Sequence, residues 1–566
     1  MVHPENFQAL PNGGAFCFYL APGRKAMKTR RIEIYDTTLR DGTQGEGFNL
    51  SLQDKLLIAQ KLDFLGVDYI EGGFPLSNPK DAAFFREIAS VKLKTAKISA
   101  FGMTRRRGMK AEDDPGMRAL LEAQTPVVTI VGKTSQFHVE KVLAVTLEEN
   151  LAMIAETIRL LASAGRKVVY DAEHFFDAYR QNAEYALRTL HSAEEAGATV
   201  LALCDTNGGS LPEFVAQSVA AVKAKTSALL GIHTHNDAAL AVANAHAAVA
   251  AGADHVQGTI NGVGERCGNM DLIPLIANLQ LKYHLDCLSD GSLRHLTEVS
   301  RYVYEIANLN AATGQAYVGT SAFAHKGGMH VHAVQKDSAT YEHVSPETVG
   351  NTRRVLISEL SGASNISAKI GQKFDIERDK ALQRRLLEKV QVMEHAGFQF
   401  EAAEASFELL VRKEIGRYKK FFDLDHYRVT INKHDGDDPV SEATVKLRVD
   451  GTMEHRVAEG DGPVNALDSA LRKSLTGHYP QIGTVHLTDY KVRVINSHDE
   501  TAAQVRVTVE CRRDRVDGSK ETLGTIGVSS NIIDASWQAL VDAYECHLIH
   551  CQEEQAGSNS AEAASR

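Results

Sequence analysis

The sequence predicts an α/β fold, a TIM (β/α)8 barrel followed by a helical connector and a C-terminal α+β domain. Three observations carry that expectation. From Arg31 onward, short β-prone runs alternate with longer amphipathic segments, as the βα units of a parallel sheet require. Glycine recurs between helical and strand patterns, at Leu65-Gly66-Val67, Ala164-Gly165-Arg166, Ala196-Gly197-Ala198 and Ala251-Gly252-Ala253, where a left-handed residue ends a helix. After about Leu281 the alternation stops, and from Phe421 a different pattern takes over.

The candidate strands are Ile32–Asp36, Val67–Glu71, Ile98–Phe101, Val127–Val131, Val168–Glu173, Val200–Asp205, Gly231–His235 and His255–Ile260. Each is separated from the next by room for a helix, and eight such units close a barrel. An open doubly wound sheet is the alternative, but the GxGxxG turn expected after its first strand is absent. Helical patterns dominate from Leu281 to Ala396, including the charged stretch Glu377 to Glu394. The last domain is read from alternating runs at Tyr427–Ile431, Ala443–Val449, Thr484–Ile495 and Ala503–Cys511, then the apolar helical segment Asp534–Leu548.

The expected boundaries are 1–27 for a disordered leader, 28–285 for the barrel, 286–400 for the helical connector, 401–550 for the α+β domain and 551–566 for a disordered tail rich in Ser, Ala and Glu. The leader has a short apolar patch, Gly14 to Ala21, without a basic segment before it, so it does not read as a signal peptide. Met27 stands immediately before the first patterned segment.

A chain of 566 residues exceeds one compact core, and its 43% hydrophobic and 24% charged fractions are those of an ordinary globular protein. The net charge of −10 gives no basic footprint for nucleic acid. Arg105-Arg106-Arg107 could still grip a phosphate-bearing ligand, the alternative being a solvated loop. Seven cysteines without CxxC spacing argue against a disulfide framework or a zinc ribbon, and a reducing cytoplasm is the simplest compartment. No apolar stretch is long enough to span a bilayer, so no membrane partner is expected.

Three motifs carry chemistry. Asp36-Thr37-Thr38-Leu39-Arg40-Asp41-Gly42-Thr43-Gln44 lies just beyond the first strand, on the face where barrel enzymes place their active sites. Arg40 and Asp41 there could bind an oxyanion and a cation, or form a surface ion pair. His233-Thr234-His235-Asn236-Asp237 ends the seventh strand, where side chains two apart share a face, so both imidazoles can point to one ion. One packed and one solvent-facing histidine is the other possibility. Asn261-Gly262-Val263-Gly264-Glu265-Arg266-Cys267-Gly268-Asn269 follows the eighth strand, and its glycines fit a backbone that turns tightly beside a ligand.

Strands one, seven and eight adjoin in a closed barrel, so Asp41, His233, His235 and the amide oxygen of Asn269 could meet around one cation. Such a set suits Mn²⁺, Mg²⁺ or Zn²⁺, with room for a bidentate substrate. A non-haem iron oxygenase shares the two-histidine, one-carboxylate set, but the barrel context disfavours it. Glu173 and Thr206 lie at two further strand ends; a plain salt-bridge role for Glu173 is the alternative.

At these residues the chain resembles the DRE-type metallolyase barrels, the superfamily of isopropylmalate, homocitrate and citramalate synthases and hydroxymethylglutaryl-CoA lyase. The likeness runs from about Lys28 to Leu548. It includes Thr525-Ile526-Gly527-Val528-Ser529-Ser530-Asn531-Ile532-Ile533-Asp534-Ala535-Ser536, which looks like the dimeric allosteric domain that the synthases have and the lyases lack. Glu71-Gly72-Gly73-Phe74-Pro75-Leu76-Ser77-Asn78-Pro79-Lys80-Asp81 and Val349-Gly350-Asn351-Thr352-Arg353-Arg354-Val355-Leu356 are most similar to the citramalate synthases, with Phe74 and Leu76 standing where Trp and Gly are common.

The resemblance implies a homodimeric acyltransferase that condenses acetyl-CoA with a small 2-oxo acid. The 2-oxo acid is pyruvate on the citramalate reading and 2-oxoisovalerate on the isopropylmalate alternative. It implies metal ligation by Asp41, His233 and His235, with Asn269 weaker, and oxyanion stabilisation by Arg40. Glu173 and Thr206 would contact the 2-oxo acid. His330 and Tyr341 would reach from the connector into the partner's site, His330 as the base. An amino-acid effector, isoleucine for a citramalate-forming enzyme, would bind the C-terminal domain.

Overall fold

A strand buried on both faces must find apolar partners on each, and that requirement organises the barrel. Its strands are β1 (Glu33–Asp36), β2 (Tyr69–Gly73), β3 (Lys97–Met103), β4 (Val127–Lys133), β5 (Lys167–Glu173), β6 (Val200–Asp205), β7 (Leu229–Thr234) and β8 (His255–Gly258), all parallel and closed in sequence order. Closure is made by β1 on β8, with Asp36 opposite Gly258. Tyr35, Tyr69, Val127, Val169, Val200 and Ala202 meet as one buried cluster, while their strand neighbours Ile34, Ile70, Val128, Val168 and Leu201 are buried as well. The computed structural model describes residues 30–289, 291–357, 365, 373–374, 379–436, 438–495, 503–515 and 518–564, with side chains as far as 556. The expected leader, residues 1–27, and Glu377 lie outside them.

Each of the eight expected strands is present, with shifted ends. β2 starts at Tyr69 rather than Val67 because the preceding helix, Leu52–Leu65, is finished by Gly66 at φ +95°. The N–H groups of Gly66 and Val67 are spent on the Leu62 carbonyl. The same helix starts at a capping box in which Ser51 and Asp54 satisfy each other's backbone N–H groups.

The described residues fall into two compact units, the first within Met1–Ala322 and Val344–Thr352, the second within Phe323–His343 and Arg353–Arg566. The second contains a short parallel pair that helical periodicity does not announce, β9 (Ala324–His325) with β10 (Arg354–Val355). Helices Gly328–Lys336, Lys380–His395 and Glu404–Glu414 belong to the same unit.

The α+β part is built twice over. Strands β11 (Phe422–Asn432), β12 (Val440–Val449) and β13 (Thr452–Gly460) form an antiparallel sheet followed by helix Pro463–Leu475. Strands β14 (Val485–Val494), β15 (Val505–Asp514) and β16 (Lys520–Ser529) form a second, followed by helix Ile532–Ala564. Ala443, Val445, Leu447, Val507, Val509, Leu471 and Leu540 meet in one core. Gly527 lets β16 lie against the last helix, since a Cβ there would stand 1.9 Å from the Ala535 carbonyl oxygen. No helix among the described residues is long and apolar enough to cross a membrane.

Candidate active site and metal centre

After β1 the chain turns back on itself, because the N–H groups of Arg40 and Gly42 both bond the Thr37 carbonyl. Asp36 holds this turn from inside, accepting from the Thr38 N–H at 2.9 Å and the Thr38 hydroxyl at 2.8 Å. The Thr38 oxygen in turn accepts the Ile260 N–H beyond β8 at 2.9 Å. Arg40 and Asp41 are thereby fixed side by side at the C-terminal end of the barrel. Burial lifts the Asp36 carboxyl to about 7.

Asp41 meets the histidines of β7. Its Oδ2 lies 3.2 Å from His233 Nε2, which lies 3.2 Å from His235 Nε2. Register explains the pointing: His233 pairs with Gln257 on β8, and Gln257 reaches Asp171 on β5. Gln257 Nε2 donates to Asp171 at 2.8 Å, so its Oε1 accepts from His233 Nδ1 at 2.9 Å. With the proton on Nδ1, the His233 Nε2 lone pair faces Asp41 and His235. Acceptors pressed together in this way call for a positive charge between them, either a proton or a metal ion.

The titration of the set agrees. Burial is the largest influence on His233 and favours the neutral ring, yet the hydrogen bond and charge of Asp41 leave its pKa above the ordinary value. His235 is held to about 4, by burial first and by His233 second. Burial works against the Asp41 charge, but Arg40 and His233 depress its pKa well below the usual carboxylate range. Ligand atoms of Asp41, His233 and His235 all lie within 4.8 Å of one another, and all three residues are buried. This donor set can hold a divalent metal.

Asn269 is brought beside His235 by a β-bridge between the two residues. Its Oδ1 is buried without a hydrogen-bond partner, which is what a weak additional ligand looks like with no ion described. The glycines of the loop make this possible. Gly264 has φ +157°, and a Cβ there would lie 2.2 Å from Asn269 Nδ2. Arg266 ties the loop to β7's extension through a two-pronged pair with Asp237, at 2.8 and 2.9 Å, and bonds the Thr206 carbonyl at 2.7 Å.

Arg40, Asp41, Glu173, Thr206, His233 and His235 line one cavity of about 200 Å³. Arg40 spends Nε on Glu71 at 2.6 Å and Nη1 on Asp41 at 3.3 Å, with its guanidinium carbon 3.9 Å from the Phe101 ring centre. Desolvation opposes its charge, but Asp41 and Glu71 outweigh it and raise the pKa. Glu173 is paired with Lys133, its register partner on β4. Thr206 Oγ1 accepts the His174 N–H at 2.8 Å, which keeps its own proton available. His330 and Tyr341 belong to the second unit, where their rings stack at 4.0 Å between centres.

Glu71, Asp171, Gln257 and Lys133 escaped the motif reading. Each sits in a barrel strand, and the available signal was a charge or amide on a strand that is otherwise mostly buried. Asp171 and Glu173 also share the two-residue spacing that puts side chains on one face.

Compared with known families, residues 31–303 match the HMGL-like family, 317–397 the homocitrate synthase post-HMGL domain-like family, and 401–548 the LeuA allosteric (dimerisation) domain. The (R)-citramalate synthase of Geobacter sulfurreducens is 50% identical over 531 residues, covering 93% of this chain and 99% of that protein. The (R)-citramalate synthase of Aquifex aeolicus is 49% identical over 528 residues, with 93% and 99% covered. A 2-isopropylmalate synthase of Shouchella clausii is more distant, 31% identical over 529 residues, with 91% and 96% covered.

Proposed function

This chain belongs to the (R)-citramalate synthase family, and from that premise we propose that it joins the acetyl group of acetyl-CoA to pyruvate, hydrolyses the thioester and releases (R)-citramalate and CoA. The observation that carries the reading to the residues is the convergence of Asp41, His233 and His235 with Arg40 around one small cavity. Asp41, His233 and His235 would hold a divalent ion, Mn²⁺, Mg²⁺ or Zn²⁺, with Asn269 as the weaker ligand. When bound, the ion supplies Lewis-acid polarisation of the 2-oxo acid's ketone.

The chain's own groups do the rest. Arg40 is anchored on Glu71 and Asp41 through Nε and Nη1, which leaves its Nη2 edge to face the alkoxide that develops as the new carbon–carbon bond forms. A fixed donor of this kind is worth about 3 kcal/mol in the transition state. Glu173, held by Lys133, and the Thr206 hydroxyl orient the 2-oxo acid. His330, with Tyr341 stacked on it, is assigned the base that takes a proton from the acetyl methyl group. That assignment rests on family resemblance.

The LeuA-type domain supports a homodimer and an amino-acid effector, isoleucine on this reading. The reaction is tested by thiol release from acetyl-CoA with Mn²⁺ and either pyruvate or 2-oxoisovalerate. Preference for pyruvate, abolished by a chelator, is expected. Preference for 2-oxoisovalerate would overturn the substrate while leaving the chemistry in place.

A further inference from the structure

The chain segments that leave β4, β5 and β6 are laced to one another at the small cavity. Lys133, the last residue of β4, pairs with Glu173, the last residue of β5. His174 comes next, and its N–H donates to Thr206 Oγ1, just beyond β6, at 2.8 Å. Asn207 Nδ2 then donates to Asp177 Oδ2 at 2.7 Å. Glu173 and Thr206 therefore both depend on one position, the first as the chain neighbour of His174 and the second as the acceptor of its N–H.

That position is held in a conformation of raised energy. His174 stands at φ +57° and ψ +32°, the left-handed region that a residue with a Cβ enters at a cost, and the surrounding structure has to hold it there. Its Nδ1 is buried without a hydrogen-bond partner among the described residues, and the Asp177 carboxylate stands 3.9 Å from that atom. What the ring does meet is the ring of His138, on the short helix Gln136–His138 after β4. The ring centres are 4.1 Å apart and the planes 11° from parallel. His138 Nδ1 is buried and unpaired as well, so the two imidazoles brace each other face to face. Burial first, and His138 second, depress the His174 pKa, which keeps that ring neutral as it stacks. The segment that carries His138 is anchored in turn, since Val139 is buried against Leu151 and Tyr185.

We propose that His138 and His174 are positioning residues for the 2-oxo acid: their stack locks the left-handed turn after β5 and so sets the Glu173 carboxylate and the Thr206 hydroxyl against the bound acid. The inference rests on the condensing activity proposed above, in which those two groups orient that substrate. Neither imidazole is among the groups that line the small cavity, so the effect passes through Glu173 and Thr206.

The test compares His138→Ala, which removes the ring, with His138→Phe, which keeps a flat ring in its place, both in the full-length protein. His138→Ala should raise KM for pyruvate about tenfold while KM for acetyl-CoA stays within about twofold and turnover changes far less, and His138→Phe should recover most of the loss. An unchanged KM for pyruvate in His138→Ala, an equal rise in both KM values, or a Phe variant as impaired as the Ala variant would overturn the brace. Hydrogen exchange of the His174 amide, read by mass spectrometry at the peptide that carries it, needs no substrate. It should quicken about tenfold or more in His138→Ala and return towards the parent's rate in His138→Phe. Should the parent protein release no thiol with any 2-oxo acid, the condensation reading fails and exchange decides the brace alone. Exchange as slow in His138→Ala as in the parent removes it.

Discussion

Arg40 shows how much one side chain is asked to do. Its planar fork holds Glu71 and Asp41 at once and lies over the Phe101 ring, and an ammonium group cannot reproduce that geometry. Arg40→Lys should lower turnover about a hundredfold while changing KM for pyruvate far less, as steady-state kinetics would show. Unchanged turnover would remove Arg40 from the chemistry. The residues that meet at this site were legible where they stand in motifs: Arg40 beside Asp41 after a strand, and His233 two residues from His235 within one. Glu71, Asp171 and Gln257 were not, because their meaning lies in cross-strand register. Gln257 orients His233 only because β8 sets it opposite that residue, and Asp171 orients Gln257 from across the barrel.

At the scale of elements, the loop after β8 is the most constrained piece of the barrel. Gly264 passes so close to Asn269 that any side chain must push the amide away, and Gly268, at φ +92°, would set a Cβ 2.1 Å from the Gly262 carbonyl oxygen. Gly264→Ala should therefore weaken metal binding, by about tenfold in a calorimetric titration, and should also lower the melting temperature, because a Cβ at φ +157° is strained and meets the buried Asn269 amide. Metal affinity equal to the parent's would show that Asn269 is not a ligand. The eight barrel strands were readable from alternation, and their ends were not, since a helix terminus such as Gly66 decides where a strand can begin. In the second unit β13 went unseen for a different reason. It is exposed along nearly all its length, and its pairing with β12 holds it in place without an apolar stripe of its own.

On the scale of the whole molecule, the second unit hides a charged network whose sign can be read by pH. His550 lies 3.1 Å from Glu408, 3.7 Å from Glu521 and 3.6 Å from the Cys546 sulfur. Desolvation disfavours its charge, but Cys546, Glu408 and Glu521 raise its pKa from 6.5 to about 11. Glu408 moves the other way, from 4.5 to about 2, with burial opposed by His550 and Lys373. A raised histidine contributes stability that is complete below 6.5 and lost as pH rises through 11; the depressed carboxylate contributes stability above 4.5 that is lost as pH falls through 2. From this network the unit should be most stable between pH 4.5 and 6.5, where both contributions are complete. Calorimetry from about pH 7 to about pH 9 should show its transition falling by up to about 1.4 kcal/mol per pH unit, and His550→Gln should flatten that slope. An unaltered slope in the variant would assign the dependence elsewhere.

The Phe101 ring beneath Arg40 has a consequence for anyone who would redesign this protein. Phe74, on the wall of a neighbouring cavity, meets it edge to face at 6.1 Å, and one partition between two rooms cannot be moved to enlarge one without shrinking the other. Substitutions that shorten either ring thin the partition and open the two spaces towards each other. Room for a bulkier keto acid and closure of the space that holds it are therefore coupled traits, and a lineage drifting towards larger acids has to change both walls together.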